Sequence, residues 1–167
     1  MTELNKELNK ESDKKINEEP NEDSNEELNN TLHIHQNIYE KLDYFLKMKK
    51  IPNIIFHGPN GSGKKTIVSN LIKNIYNNNP TLIDNYTLYV NCAIGKGIKF
   101  IREDIKFFAK TNINTNKGSI FKTIILLNAD YLTTDAQSAM RRCIELFSYN
   151  TRFFIITNNK SKLLKPI

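Results

Sequence analysis

Apolar residues recur along this chain at two different periods, and the switching between them predicts its architecture. Ile38, Leu42, Phe45 and Leu46 follow an i, i+4, i+7, i+8 spacing, which predicts an amphipathic helix over residues 36–49. Pro52 opens a short apolar strand, Ile54-Ile55-Phe56. Ile67, Val68, Leu71, Ile72, Ile75 and Tyr76 mark a helix of about four turns, which Asn77-Asn78-Asn79-Pro80 stops. Tyr86 to Asn91 alternates and is rich in aromatic and β-branched residues, the pattern of a second strand. After a turn at Gly95 and Gly97, a helix from Ile98 carries Ile98, Ile101, Ile105 and Phe108 on one face. Phe121 to Leu127 is nearly continuously apolar, as expected of a parallel strand buried on both sides. Thr134-Asp135-Ala136-Gln137 has the form of a capping box opening a helix through Phe147, and Arg152 to Thr157 is a fourth strand. Strands alternate with helices, which predicts an α/β three-layer sandwich on a mostly parallel sheet.

Between the first strand and the helix beginning near Thr66 lies Gly58-Pro59-Asn60-Gly61-Ser62-Gly63-Lys64-Lys65-Thr66. Strand, glycine-rich loop and helix without a gap is the context of a phosphate-binding P-loop. Its glycines let the backbone turn N–H groups toward phosphate oxygens, and the positive end of the following helix points to the same place. Lys64 stands where the P-loop lysine reaches the β and γ phosphates. The pattern G-x4-G-K-[ST] is broken at its last position, where Lys65 replaces the hydroxyl and Thr66 comes one step late. A helix turns about 100° per residue, so Thr66 cannot take over a magnesium contact made one position earlier.

Charge divides the chain. Residues 1–30 hold ten of the 18 acids and four of the 24 Lys and Arg, a net of −6; residues 31–167 hold the remaining 20 bases and eight acids, a net of +12. The first segment repeats Asn at Asn5 and Asn9 and at Asn17, Asn21, Asn25 and Asn29, with few apolar residues, and is predicted to be disordered. The basic remainder suits a polyanion. Lys99, Arg102, Lys106 and Lys110 form a stripe on the helix after Gly97, separate from its apolar face. Tyr39, Tyr44, Phe107 and Phe108 are assigned to the core rather than to stacking. His33, His35 and His57 make no metal set, and Cys92 and Cys143 read as reduced thiols of an intracellular protein. No apolar run approaches the roughly 18 residues of a membrane span.

Several of these stretches together resemble the replication factor C small subunits, AAA+ sliding-clamp loaders. They are Gly58–Lys65; Val90-Asn91-Cys92-Ala93 with Gly97-Ile98 and Arg102-Glu103-Asp104-Ile105-Lys106-Phe107-Phe108-Ala109; Asp135-Ala136-Gln137-Ser138-Ala139-Met140-Arg141-Arg142; and Thr151-Arg152-Phe153 leading to Asn158 and Lys162–Ile167. They keep the family's order from about residue 31 to the end. The resemblance implies a AAA+ base domain over 31–167, partial and without lid or collar. It also implies ATP or ADP held by Gly58–Thr66 with Asn158 at the sensor-1 position, and primer–template DNA touched by Arg102 and Lys106. Implied partners are other clamp-loader subunits and a sliding clamp, in the nucleus or at a cytoplasmic viral replication site. Arg141 and Arg142 match the family's Leu-Arg-Arg and would face a neighbour, DNA or the sheet. The variant Gly63-Lys64-Lys65-Thr66 is similar to that of the eukaryotic subunit that binds nucleotide without hydrolysing it.

Where the family has Asp-Glu-Ala-Asp after the third strand, this chain has Leu127-Asn128-Ala129-Asp130. Leucine cannot support Mg²⁺, and asparagine lacks a basic group to polarise water. Asp130 is assigned to helix entry. Own-site hydrolysis is expected to be negligible and a role for Mg²⁺ is doubtful. In the family's sheet order a further strand flanks the P-loop strand, so Ile54, Ile55 and Phe56 are expected on an apolar edge. Two other readings remain: a non-catalytic remnant that binds a partner subunit, and an unrelated P-loop kinase or nucleotidase, for which neither a magnesium acid nor a lid is evident.

Overall fold

The computed structural model describes residues 34–94, 99, 101–111 and 121–164. The chain divides after His35, and the fold is that of the unit Gln36–Ile167. The acidic segment 1–30, with its expected disorder, and His33 lie outside the described residues. Helix α1 (Gln36–Lys47) leads to strand β1 (Ile54–His57), helix α2 (Lys64–Ile75), helix α3 (Pro80–Tyr86) and strand β2 (Thr87–Asn91). A π-helical turn (Ile101–Ile105) runs into helix α4 (Lys106–Lys110). Next come strand β3 (Lys122–Leu127), a 3₁₀ turn (Ala129–Tyr131), helix α5 (Thr134–Phe147) and strand β4 (Thr151–Thr157), with a last 3₁₀ turn at Lys160–Lys162.

All four predicted strands are present, and they pair in parallel in the order β1-β4-β3-β2. Strand β4, the last in sequence, is therefore inserted between β1 and β3, with both its edges paired. The near-continuous apolar runs are explained by burial on both faces. Ile124, Leu126, Phe153 and Ile155 pack toward α4 and α5. Ile125, Phe154 and Ile156 pack toward α1 and α2, with Leu42, Ile67, Val68, Leu71 and Ile72. That is the three-layer sandwich read from the sequence.

Some boundaries differ. Asn77-Asn78-Asn79-Pro80 ends α2 but also starts α3, which the sequence reading missed. The Asn79 side chain accepts from Leu82 N at 3.3 Å and Pro80 fills the first helical position. Tyr86 belongs to that helix, so β2 begins at Thr87. The cap of α5 is Thr133, whose Oγ1 accepts from Ala136 N at 3.3 Å, rather than Thr134. Among the assigned core aromatics, Tyr39 and Phe108 are part-buried, but Tyr44 and Phe107 are 60% and 74% exposed. Strand β1 is the sheet edge among the described residues. Ile55 is exposed there, Ile54 is half-buried, and Phe56 is covered by an edge-to-face contact with Phe154 at 6.1 Å.

Tyr76, 1% exposed, joins these layers. Its hydroxyl contacts Tyr86 O at 3.2 Å, Phe121 O at 3.0 Å and Thr123 Oγ1 at 3.0 Å, linking the end of α2 to the starts of β2 and β3. Burial pushes its pKa above the usual phenol value. Replacing it by Phe leaves buried acceptors without their donor, so Tyr76→Phe is expected to cost about 1–3 kcal/mol. The readout is a lower urea midpoint at unchanged slope; an unaltered midpoint would show that the hydroxyl contributes nothing.

Candidate functional site

In a parallel sheet every strand delivers its C-terminal end to the same side, and the candidate residues gather there. Register pairs His57 with Thr157, so the next residues on the two neighbouring strands are Gly58 and Asn158. The loop from Gly58 leads into α2 at Lys64. Gly61 and Gly63 both have φ of 79°, a left-handed conformation in which a side chain is strained. At Gly58 the obstacle is contact: an added Cβ would stand 3.2 Å from Ser62 Oγ.

Gly63 caps α2 without any side-chain hydrogen bond. The backbone N–H groups of Gly61, Gly63, Lys64 and Lys65 find no backbone acceptor among the described residues; the ladder of α2 opens with Ile67 N to Gly63 O at 3.0 Å. Lys64 folds its ammonium back over the loop, donating to Gly58 O and Pro59 O, each at 2.7 Å, and to Ser62 Oγ at 3.3 Å. A run of undirected N–H donors at a helix start, beside a cation on a long side chain, has the chemistry of a phosphate cradle. Pro59, Asn60, Lys65 and Thr66 lie at its rim. A nucleotide's phosphates fit this donor set.

The end of β3 is built differently. Leu127 is half-buried and packs with the α2-side core. Asn128 adopts φ 56°, ψ 47° and gives its amide to Asn91 Oδ1 at 3.1 Å, an oxygen that also accepts from Ala93 N at 3.1 Å. Asp130 does not cap α5. Its Oδ1 accepts from Thr157 Oγ1 at 3.2 Å and Asn158 N at 3.3 Å, fixing the turn after β4. A divalent cation fits poorly: leucine offers no ligand atom, while Asn128 and Asp130 are already engaged. Among the described residues no group of three His, Cys, Asp or Glu could hold a metal.

Sequence reasoning missed two polar side chains. Gln137 fits the spacing of a capping box, but it is 2% exposed, donates to Leu132 O and Lys162 O at 3.0 Å each, and accepts from Leu164 N at 2.8 Å. It thus ties the segment after Asn158 to α5. Lys122 stands inside an apolar run; it is 3% exposed and donates to Phe108 O and Thr111 O. Its acceptors lie 14 and 11 residues back, beyond any local pattern.

Lys106 is exposed and lines a groove of about 570 Å³ between α4 and α5, with Asp135, Ser138, Arg142 and Cys143. Arg102 belongs to the π-helical turn; its side chain is outside the described residues, so the shared face with Lys106 rests on backbone position alone. Arg141 pairs with Glu145 at 2.8 Å on the exposed side of α5, a contact worth little by itself.

Fold and loop together define a three-layer α/β domain with a P-loop between its first strand and the helix that follows. Among solved structures it is similar to a DNA polymerase III gamma subunit-related protein from Thermotoga maritima, with TM-score 0.56 and 18% identity over 75% of this chain and 42% of that one. It is also similar to a RuvB variant from the same organism, with TM-score 0.54 and 11% identity over 80% and 40%. In sequence it is similar to replication factor C small subunits: 40% identical over 132 residues to that of Sulfolobus acidocaldarius and 42% over 133 residues to that of Thermofilum pendens, in each case 79% of this chain and 39% of the relative. Replication factor C subunit 3 of Blastobotrys adeninivorans is 38% identical over 129 residues, 77% of this chain and 37% of the relative. The chain thus spans about two fifths of the length of the curated relatives it matches. No protein-family model matches it.

Neither cysteine is in a disulfide, and both are buried. Burial, with the charge of Asp130 adding, pushes the Cys92 thiol from 9.0 up to about 12. A thiol whose folded pKa is raised favours the fold at low pH, and that contribution is lost as pH climbs from about 9 through about 12. Cys92 is expected to react with a thiol reagent at pH 8 only as fast as the protein unfolds. Modification faster than global unfolding would show an open route to it.

Proposed function

We propose that the chain is a clamp-loader small-subunit-like AAA+ module of DNA replication that holds ATP or ADP as a lasting ligand, with hydrolysis in its own site lost. The observation that carries this reading is the pairing of an intact phosphate cradle, Gly58–Lys65, with Leu127 and Asn128 at the end of β3. On this reading the N–H groups of Gly61, Gly63, Lys64 and Lys65 take phosphate oxygens. Lys64 exchanges its bonds to Gly58 O and Pro59 O for the β and γ phosphates, and Asn158, held by Asp130, lies beside the terminal phosphate. Nothing at Leu127 orients a cation and nothing at Asn128 removes a proton from water, so the bound nucleotide persists. Without these two operations nucleotide serves to fix the loop and the end of β4.

Primer–template DNA is the proposed partner of Arg102 and Lys106, through phosphates and therefore without sequence preference. Other clamp-loader subunits and a sliding clamp complete the assembly, at an intracellular site of replication. The similarity to replication factor C small subunits, the exposed Lys106 and the net charge of +12 over residues 31–167 support this.

The full chain, purified without added nucleotide and then denatured, is expected to release stoichiometric ATP or ADP on chromatography. Incubated with ATP and Mg²⁺ it is expected to release no phosphate above background. Lys64→Ala, which removes charge-assisted contacts, is expected to weaken nucleotide binding about 10- to 100-fold. A folded protein that neither carries nor binds nucleotide, or one that turns ATP over, would overturn the reading.

A further inference from the structure

Helix α4 presents a large aromatic ring to solvent and is built to hold it there. Phe107 is 74% exposed, while Ile105 and Ala109 on the opposite side are fully buried. A helix of only five residues has no stability of its own, so its direction must be set by tertiary contacts. Side chains from three places satisfy its C-terminal carbonyls. Thr111 Oγ1 donates to Phe107 O at 2.9 Å, Lys122 Nζ to Phe108 O and Thr111 O, and Asn150 Nδ2 to Ala109 O at 3.2 Å. The Lys122 ammonium also lies 4.8 Å from the centre of the Phe108 ring, which packs against the core while Phe107 faces outward.

The charges around Phe107 point to its occupant. Lys106 and Lys110 flank it on α4, and Arg142 joins Lys106 in the groove against α5. Glu103 and Asp104 are the exposed acids on this stretch, and Asp135 lines the groove. Basic side chains around an exposed aromatic on an anchored backbone match a single-stranded nucleic acid, whose bases stack while its phosphates meet the cations. Duplex DNA keeps its bases stacked inside and offers this ring little.

We propose that Phe107 is a stacking platform for unpaired bases of a single-stranded nucleic acid whose phosphates are held by Lys106 and Lys110. The proposal rests on the reading that α4 faces nucleic acid, and it adds a preference for unpaired strand over duplex.

The chain has no Trp, so Phe107→Trp installs a sole indole as a reporter. A short oligodeoxythymidylate is expected to quench it strongly. Phe107→Ala is expected to weaken binding of that oligonucleotide about tenfold, with duplex affinity and salt dependence unchanged. Lys106→Ala is expected to reduce the salt slope by about one for both forms. If the indole is not quenched and Phe107→Ala binds like the parent, while Lys106→Ala still weakens binding, the stacking proposal falls and the nucleic-acid reading stands. If the parent chain binds neither form, both fall. An indole signal that tracks protein concentration alone would mean a second copy covers the ring, which also overturns the proposal.

Discussion

The constraint on which the rest depends is the burial of β3 and β4 on both faces. A parallel strand with helices above and below must be apolar at nearly every position, and its neighbours must all run the same way. Phe153 and Ile155 serve one layer while Phe154 and Ile156 serve the other, so a slip of one residue would exchange the two cores. That fixes the register Ile124↔Phe153 and Phe56↔Ile156, and with it the level at which Gly58, Asn128 and Asn158 leave the sheet. The loops need little help to converge. They have nowhere else to go.

At that end of the sheet the β3 terminus is given over to packing and local hydrogen bonds. Leu127 contributes apolar surface to the α2-side core, where a carboxylate would need solvent or a cation. Asn128 is bonded to Asn91, and Asp130 to the end of β4. Both polar side chains left in the position are bonded to protein. The phosphate loop shows the opposite condition, a set of N–H donors without backbone acceptors and an ammonium resting on carbonyls it can leave. The contrast is between a region finished as structure and one finished as a receptor.

The fold was legible because its signals are long: four apolar runs, two amphipathic helices, and a glycine loop whose function is carried by backbone. The failures are local and have physical causes. Asn79-Pro80 stops one helix and caps the next, and a stop signal alone does not specify the element after it. Phe107 and Phe108 are adjacent, and about 100° of helix rotation keeps both from facing the core; the spacing of Ile98, Ile101, Ile105 and Phe108 singles out Phe108, so assigning both rings to the core was the error. Lys122, from a strand further along the chain, lies over the ring that turns in. Gln137 looked like a reciprocal cap because the spacing was right, yet Thr133 took the cap, and burial turned the amide to Leu132, Lys162 and Leu164. Side chains that bond across the fold leave no period to read.

On the proposed reading, a nucleotide that is held and never hydrolysed would act on this chain by mass action. A ligand present at about 1,000 times its dissociation constant stabilises the form that binds it by about 4 kcal/mol. That is a large share of the roughly 5–15 kcal/mol typical of a whole domain. The contribution would fall where the described fold has least covering, since the loop is continuous with edge strand β1, whose Ile55 is exposed. On that reading, Leu127 and Asn128 at the end of β3 accompany a working receptor. An active site there would convert ATP to ADP and release phosphate, so that the ligand's hold on the loop would change with each turnover. A cradle without acids at that position would keep that hold constant, as the proposed role within an assembly requires.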